Sequence, residues 1–202
     1  MGHVIVIANQ KGGVGKTTTA VNVSACIATM GRRTLLVDLD PQGNSTSGVG
    51  IDKKELNQSL YEVLLGGVPA KDVILQTRID NLWILPAEKN LAGAEVELVN
   101  EQAREFRLNS VLKPLVDDYD YILIDAPPSL SLLTVNGLAT AESVLIPLQC
   151  EYFALEGLSE LLQTIILVRD NLNRDLRLQG VLLTMYQRTN LSKQVMDDVR
   201  SH

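Results

Sequence analysis

Asn9-Gln10-Lys11-Gly12-Gly13-Val14-Gly15-Lys16-Thr17-Thr18 decides the reading of this chain. It follows an unbroken apolar run, Val4-Ile5-Val6-Ile7-Ala8, and precedes a helix-like segment from Thr18 to Met30. Strand, glycine loop and helix, in that order, form the context in which a phosphate-binding loop works. Glycines let backbone N–H groups come close to phosphate oxygens, and the helix N-terminus adds positive potential there. Lys16 supplies a mobile charge for the β- and γ-phosphates, and the Thr17 hydroxyl is placed to ligate Mg²⁺. A flexible Gly/Lys turn behind a buried strand has a similar composition, but it requires neither Gly-Lys-Thr-Thr nor the helix that follows.

The strict spacing G-x-x-x-x-G-K-[ST] fails here, because its first glycine falls at position 10, which is Gln10. A lysine, Lys11, stands beside it. The form K-G-G-x-G-K-T from Lys11 to Thr17 resembles the deviant Walker A loop of the ParA/MinD ATPase family.

The loop sits in a chain of 202 residues, 46% hydrophobic, which predicts one globular domain over 1–202 with a core of its own. Only 4% of residues are aromatic, so that core should be aliphatic, as in a buried parallel sheet. The net charge of −6 argues against a globally basic nucleic-acid binder. The charge is uneven, with a small excess of basic residues from Arg169 onward. No apolar run approaches a membrane span, and Gly2 lacks the Ser/Thr at position 6 that a myristoylation signal needs. Cys26 and Cys150 are isolated, which predicts reduced, buried thiols in a cytoplasmic protein.

Further buried strands are expected at Thr34–Val37, Leu82–Pro86, Tyr121–Ile124, Ser143–Pro147 and Leu178–Met185. Between them, helices are expected at Ser59–Leu65, from near Ala70, over about Ala94–Val116, at Leu132–Thr140, from Leu155 to near Asn173, and at Ser192–Arg200. The alternation predicts an α/β fold: a mostly parallel twisted sheet in three layers, with helices on both faces, as in P-loop NTPases. A chain that stops inside a helix predicts a domain lacking a closing strand and helices.

Three strand tips carry the polar residues: Lys11 to Thr18, Asp38 with Asp40, and Asp125. Phosphoryl transfer needs phosphate donors, a held Mg²⁺ and a group that orients the attacking water. Asp125, ending an apolar strand, fits the Walker B role of holding Mg²⁺ through a water. Asp40 is the candidate for the water. Asp38 is either a second helper or a structural partner of the loop lysines.

The runs K-G-G-V-G-K-T-T-T, V-D-L-D-P-Q-G-N-S-T, Y-I-L-I-D-A-P-P-S-L and P-L-Q-C-E-Y-F-A-L-E-G-L occur in that order and cover nearly the whole chain. Together they resemble the ParA/Soj partition ATPases of chromosomes and plasmids. The resemblance implies ATP/ADP and Mg²⁺ as ligands, with Gly12, Gly13, Val14, Gly15, Lys16, Thr17 and Thr18 in the nucleotide loop. It implies that Lys11 reaches across a homodimer to the partner's phosphates, with Gly12 at the tight contact. Asp40 would serve the water and the metal, and Asp125 the metal. Met185 would touch the base, and the absence of N-K-x-D after a strand favours ATP over GTP. It further implies non-specific DNA binding in the ATP state through Arg188, Lys193 and Arg200, a nucleoid location, and a ParB-like activating partner. The rivals are a MinD-like membrane-cycling ATPase, for which Ser192–His202 is too short and too acidic, and an iron–sulfur carrier, for which the two cysteines are poorly placed. A nucleotide-binding scaffold without turnover is disfavoured by Lys16, Thr17, Asp40 and Asp125.

Overall fold

Seven strands form one sheet: β1 (His3–Ile7), β2 (Thr34–Asp38), β3 (Leu75–Gln76), β4 (Leu82–Leu85), β5 (Tyr121–Asp125), β6 (Ser143–Gln149) and β7 (Arg177–Thr184). The computed structural model describes residues 2–151 and 154–201, without the side chains of 154–156 and 201. Tyr152 and Phe153 of the fourth motif, and the Leu155 side chain, therefore lie outside the described residues. The strand order is β3-β4-β2-β5-β1-β6-β7, parallel throughout except where β3 runs against β4.

Strict alternation along the strands sends side chains to two helical layers. Val4 and Val6, Leu35 and Val37, and Ile122 and Ile124 enter one core. Ile7, Leu36 and Leu123 enter the other. The second core is capped by α1 (Lys16–Thr29), through Ala20 and Ala28, with Val49 after the short α2 (Asn44–Gly48). The first is covered by α3 (Leu60–Leu64), α4 (Ala70–Val73), α5 (Leu91–Glu97), α6 (Arg107–Leu112), α7 (Leu132–Thr140) and α8 (Ala154–Asn171). The terminal α9 (Asn190–Ser201) packs on the same side through Val195 and Val199.

The register places the chemistry. Asp125 aligns with Ile7 on one side and with Asp38 on the other, so β1, β2 and β5 end at one level. The polar loops after all three strands thus leave from the same carboxyl edge, where open α/β sheets bind ligands.

Two expectations are corrected, and one strand is added. The long helix over 94–116 is broken into α5, α6 and several 3₁₀ turns. Ala103 sits in the left-handed region at φ 54°, and Pro114 lacks the N–H that a continuing helix needs. Leu98, Leu108, Leu112 and Leu115 still reach one core, but from different elements. Cys26 is exposed on α1, while Cys150 is buried. The two-residue edge strand β3 is new, too short for its alternation to be seen in sequence.

Candidate nucleotide site

The loop between β1 and α1 is built around left-handed turns at Gly13 (φ 77°) and Gly15 (φ 90°). Such angles suit glycine at little steric cost. Gly15 is also the residue ahead of α1, and no side chain caps that helix. The first-turn amides of Lys16, Thr17 and Thr18 have no intrahelical acceptor, so they are available to an anion. α1 therefore starts two residues earlier than its sequence pattern suggests, which brings Lys16 and Thr17 into the first turn.

The two lysines of the loop point opposite ways. The Lys16 side chain is buried and its Nζ donates to the Lys11 carbonyl at 3.0 Å. Burial lowers its pKa, opposed by the charges of Asp125 and Asp40. The Lys11 ammonium instead lies at the surface against the Glu151 carboxylate. Its backbone N–H donates to Asn9 Oδ1 at 3.0 Å, and Asn9 Nδ2 donates to the Pro147 carbonyl at 2.7 Å. The loop is thereby tied to the end of β6. Val14 is buried, and its carbonyl accepts from the Thr184 hydroxyl at 2.7 Å, which ties the loop to β7. Gly12, Gly13 and Thr18 are exposed.

Asp125 is wholly buried. Its Oδ2 accepts from the Ser45 hydroxyl at 2.8 Å, whereas Oδ1 is buried without a hydrogen-bond partner. Burial pushes its pKa up to about 6, with the hydroxyls of Ser45 and Thr17 working in the other direction. An orphaned carboxylate oxygen at this depth is costly unless a cation or a water shares it. Among the described residues no group of three His, Cys, Asp or Glu makes a complete metal cage. That combination fits Mg²⁺, which keeps waters and takes one or two protein ligands beside substrate phosphates. Thr17 and Asp125, with Asp40 nearby, are the residues that would hold it.

Asp40 is buried at the start of the loop after β2, and its Oδ1 accepts from the Gln42 amide at 2.9 Å. Among the described residues Asp38 bonds within its own loop and not to the loop lysines, which corrects the reading of it as their partner. Its Oδ2 accepts from the Thr46 amide and hydroxyl, each at 2.7 Å, and its Oδ1 from the Asp40 amide at 3.3 Å. Burial nevertheless pushes its pKa up to about 7. Asp38 thus holds the loop that carries Asp40. Ser45, Thr46, Asn9 and Thr184 escaped sequence reasoning as site residues. Ser45 and Thr46 stand in the quoted D-P-Q-G-N-S-T run, but their roles depend on which strand tip they fold back to.

Met185 follows β7 beside Thr184, left-handed at φ 49° and exposed. Arg188, in the loop after β7, and Lys193 and Arg200, on α9, are all exposed. Two cavities lie away from the loop between β1 and α1. One of about 660 Å³ is at the amino edge of the sheet, between His3, Tyr121, Glu142 and Arg177. The other, about 580 Å³, lies between Leu130–Leu132 and α8.

A family model described as an AAA domain matches residues 2–178. The chromosome partitioning protein ParA of Myxococcus xanthus is 56% identical over 203 residues, covering 100% of this chain and 72% of the relative. The chain belongs to the ParA/Soj family of P-loop ATPases. The sporulation initiation inhibitor protein Soj of Bacillus subtilis is 55% identical, with 100% of this chain and 80% of that protein covered. Among solved structures, the cobyrinic acid a,c-diamide synthase of Mycobacterium smegmatis with bound ADP and magnesium superposes with a TM-score of 0.95. It is 45% identical, and the match covers 100% of this chain and 82% of that one. No described helix is long and apolar enough to cross a membrane.

Proposed function

We propose that this chain is the ATP-driven switch of a DNA partition system: it pairs as a homodimer on ATP, holds DNA in that state, and lets go on hydrolysis. The observation that carries the reading is the division of labour between the two loop lysines. Lys16 is turned into the cradle, where its charge meets the phosphates of its own nucleotide. Lys11 is turned out at the surface next to Gly12, around which a Cβ would meet nothing within 4 Å. Packing among the described residues therefore gives no reason for a glycine at position 12, whereas close approach of a second subunit does. A cation delivered by that subunit to the developing γ-phosphate charge acts as an arginine finger does.

In this reading the α1 amides and Lys16 grip the phosphates, and Thr17 and Asp125 hold Mg²⁺. When bound, Mg²⁺ neutralises charge on the β- and γ-phosphates. Asp40 orients the water whose oxygen bonds to the γ-phosphorus as the bond to the β–γ bridging oxygen breaks. The partner's Lys11 would stabilise the charge passing to that leaving oxygen. Asp38 keeps Asp40 in place through Thr46. The loop after β7, with Met185, contributes to the adenine site because Thr184 anchors it against Val14. Arg188, Lys193 and Arg200 supply a local phosphate-binding patch on an otherwise acidic chain, so DNA binding should weaken steeply with salt and require ATP. A ParB-like partner stimulates the slow basal turnover. The cell compartment is the cytoplasm, on the nucleoid.

The test is Lys11→Ala. ATP binding should persist, since Lys16 and the amides remain, while ATP turnover is lost. Turnover equal to that of the unmodified protein would sink the trans-lysine reading.

A further inference from the structure

The Lys11 side chain is not free in the single subunit. Its ammonium lies on the Glu151 carboxylate, at the junction between β6 and α8. Next to it, the Gln10 side-chain amide donates to Glu160, on α8. The backbone between them is fixed as well, through Asn9 to the Pro147 carbonyl at the end of β6. Two consecutive loop side chains therefore grip carboxylates of one neighbouring segment. These carboxylates pair with Lys11 and Gln10, whereas the charges acting on Lys16 are those of Asp125 and Asp40.

We propose that Glu151 is a positioning residue for Lys11, a latch that keeps the ammonium on its own subunit until a second, ATP-loaded subunit takes it. The inference rests on the nucleotide-driven dimer and the trans lysine proposed above. The latch is well matched to that role because it is weak. The Lys11 and Glu151 side chains are 37% and 45% exposed, and exposed pairs of this kind contribute little and are screened by salt. A phosphate partner, more highly charged and away from bulk water, outcompetes such a carboxylate. In the monomer the contact withholds the one group that a neighbouring site lacks, so hydrolysis and pairing stay coupled.

The experiment measures the dimer dissociation constant by light scattering in saturating ATP, with Asp40→Ala in every variant to slow turnover. Glu151→Gln keeps the side-chain shape and removes the charge. It should tighten the dimer about two- to fivefold, the fold-change that an exposed pair is worth. The gap should shrink at high salt. Glu142→Gln, which breaks the His3 contact at the opposite edge of the sheet, should leave the constant unchanged. A second readout needs no dimer: acylation of Lys11 in the nucleotide-free protein, followed by mass spectrometry. Glu151→Gln should raise labelling at Lys11 and leave that at Lys71, which pairs with Asp118, as it was. If ATP dimers form but Glu151→Gln leaves the constant or the Lys11 labelling unchanged, or weakens the dimer, the latch is wrong and the switch stands. If no variant dimerises in ATP, the switch reading and the latch fall together.

Discussion

Replacing Thr46 with valine tests how the loop carrying Asp40 is held. Thr46 is fully buried, and its hydroxyl works twice, donating to Asp38 Oδ2 at 2.7 Å and accepting from the Ala87 amide at 3.0 Å. Valine fills nearly the same volume, so packing changes little and the loss is polar. The Ala87 N–H is left buried without an acceptor, which costs about 1–3 kcal/mol. The bond to Asp38 is worth about 1 kcal/mol when the carboxyl is neutral and about 1.5–3 kcal/mol when it is ionised. The sum is about 3 kcal/mol below neutral pH. It grows by about 1 kcal/mol at pH 8, because Asp38 ionises through a pKa of about 7 that the lost bond had been holding down. With a urea slope of about 2 kcal/mol/M, the unfolding midpoint should fall by about 1.5 M at pH 6 and further at pH 8. Thr46→Ser keeps the hydroxyl and should lose only about 1 kcal/mol for its methyl. A Thr46→Val protein no less stable than Thr46→Ser, or equally destabilised at both pH values, would refute the assigned hydrogen bonds.

Other outcomes follow from the same loops. Gly43→Ala should destabilise by at least about 2 kcal/mol in chemical unfolding, because position 43 is left-handed at φ 61° and a Cβ there meets the Ala87 carbonyl oxygen at 2.5 Å. A neutral substitution would mean that the turn after β2 is looser than described. Without nucleotide, the melting temperature should fall between pH 5 and pH 8. Native Asp38 and Asp125 keep protons, up to about pH 7 and 6, that the unfolded chain loses near pH 4, so their contribution is full below pH 4 and lost on rising through the folded values. For Asp38 alone the upper bound is about 4 kcal/mol. Asp38→Asn should flatten the profile, and a profile that rises toward pH 8 would contradict the burial of these groups.

Much of the fold was legible because its strands are buried on both faces. Thr34–Asp38 is buried at all five positions and reads as a plain apolar run ending in acid. That the loop glycines, Lys16, Thr17, Asp40 and Asp125 gather at one sheet edge was legible because each follows an apolar strand, and those strands end at one level. The broken helix between Ala94 and Val116 was not legible. Its leucines keep a helix-like rhythm while the backbone turns at Ala103 and Pro114, so periodicity survives without a continuous helix. The role of Asp38 was hidden for a different reason: carboxylates look alike in sequence, and only the fold-back of Thr46 sets them apart. Glu151 lies 140 residues from Lys11, and only the adjacency of β1 and β6 brings the two together.

In the proposed switch, nucleotide state sets assembly state. Light scattering of the unmodified protein with ADP, of the same protein with ATP, and of Asp40→Ala with ATP tests it most directly. Monomers are expected with ADP, a transient dimer with ATP, and a persistent dimer when Asp40→Ala stops hydrolysis. Monomers under all three conditions would contradict the switch.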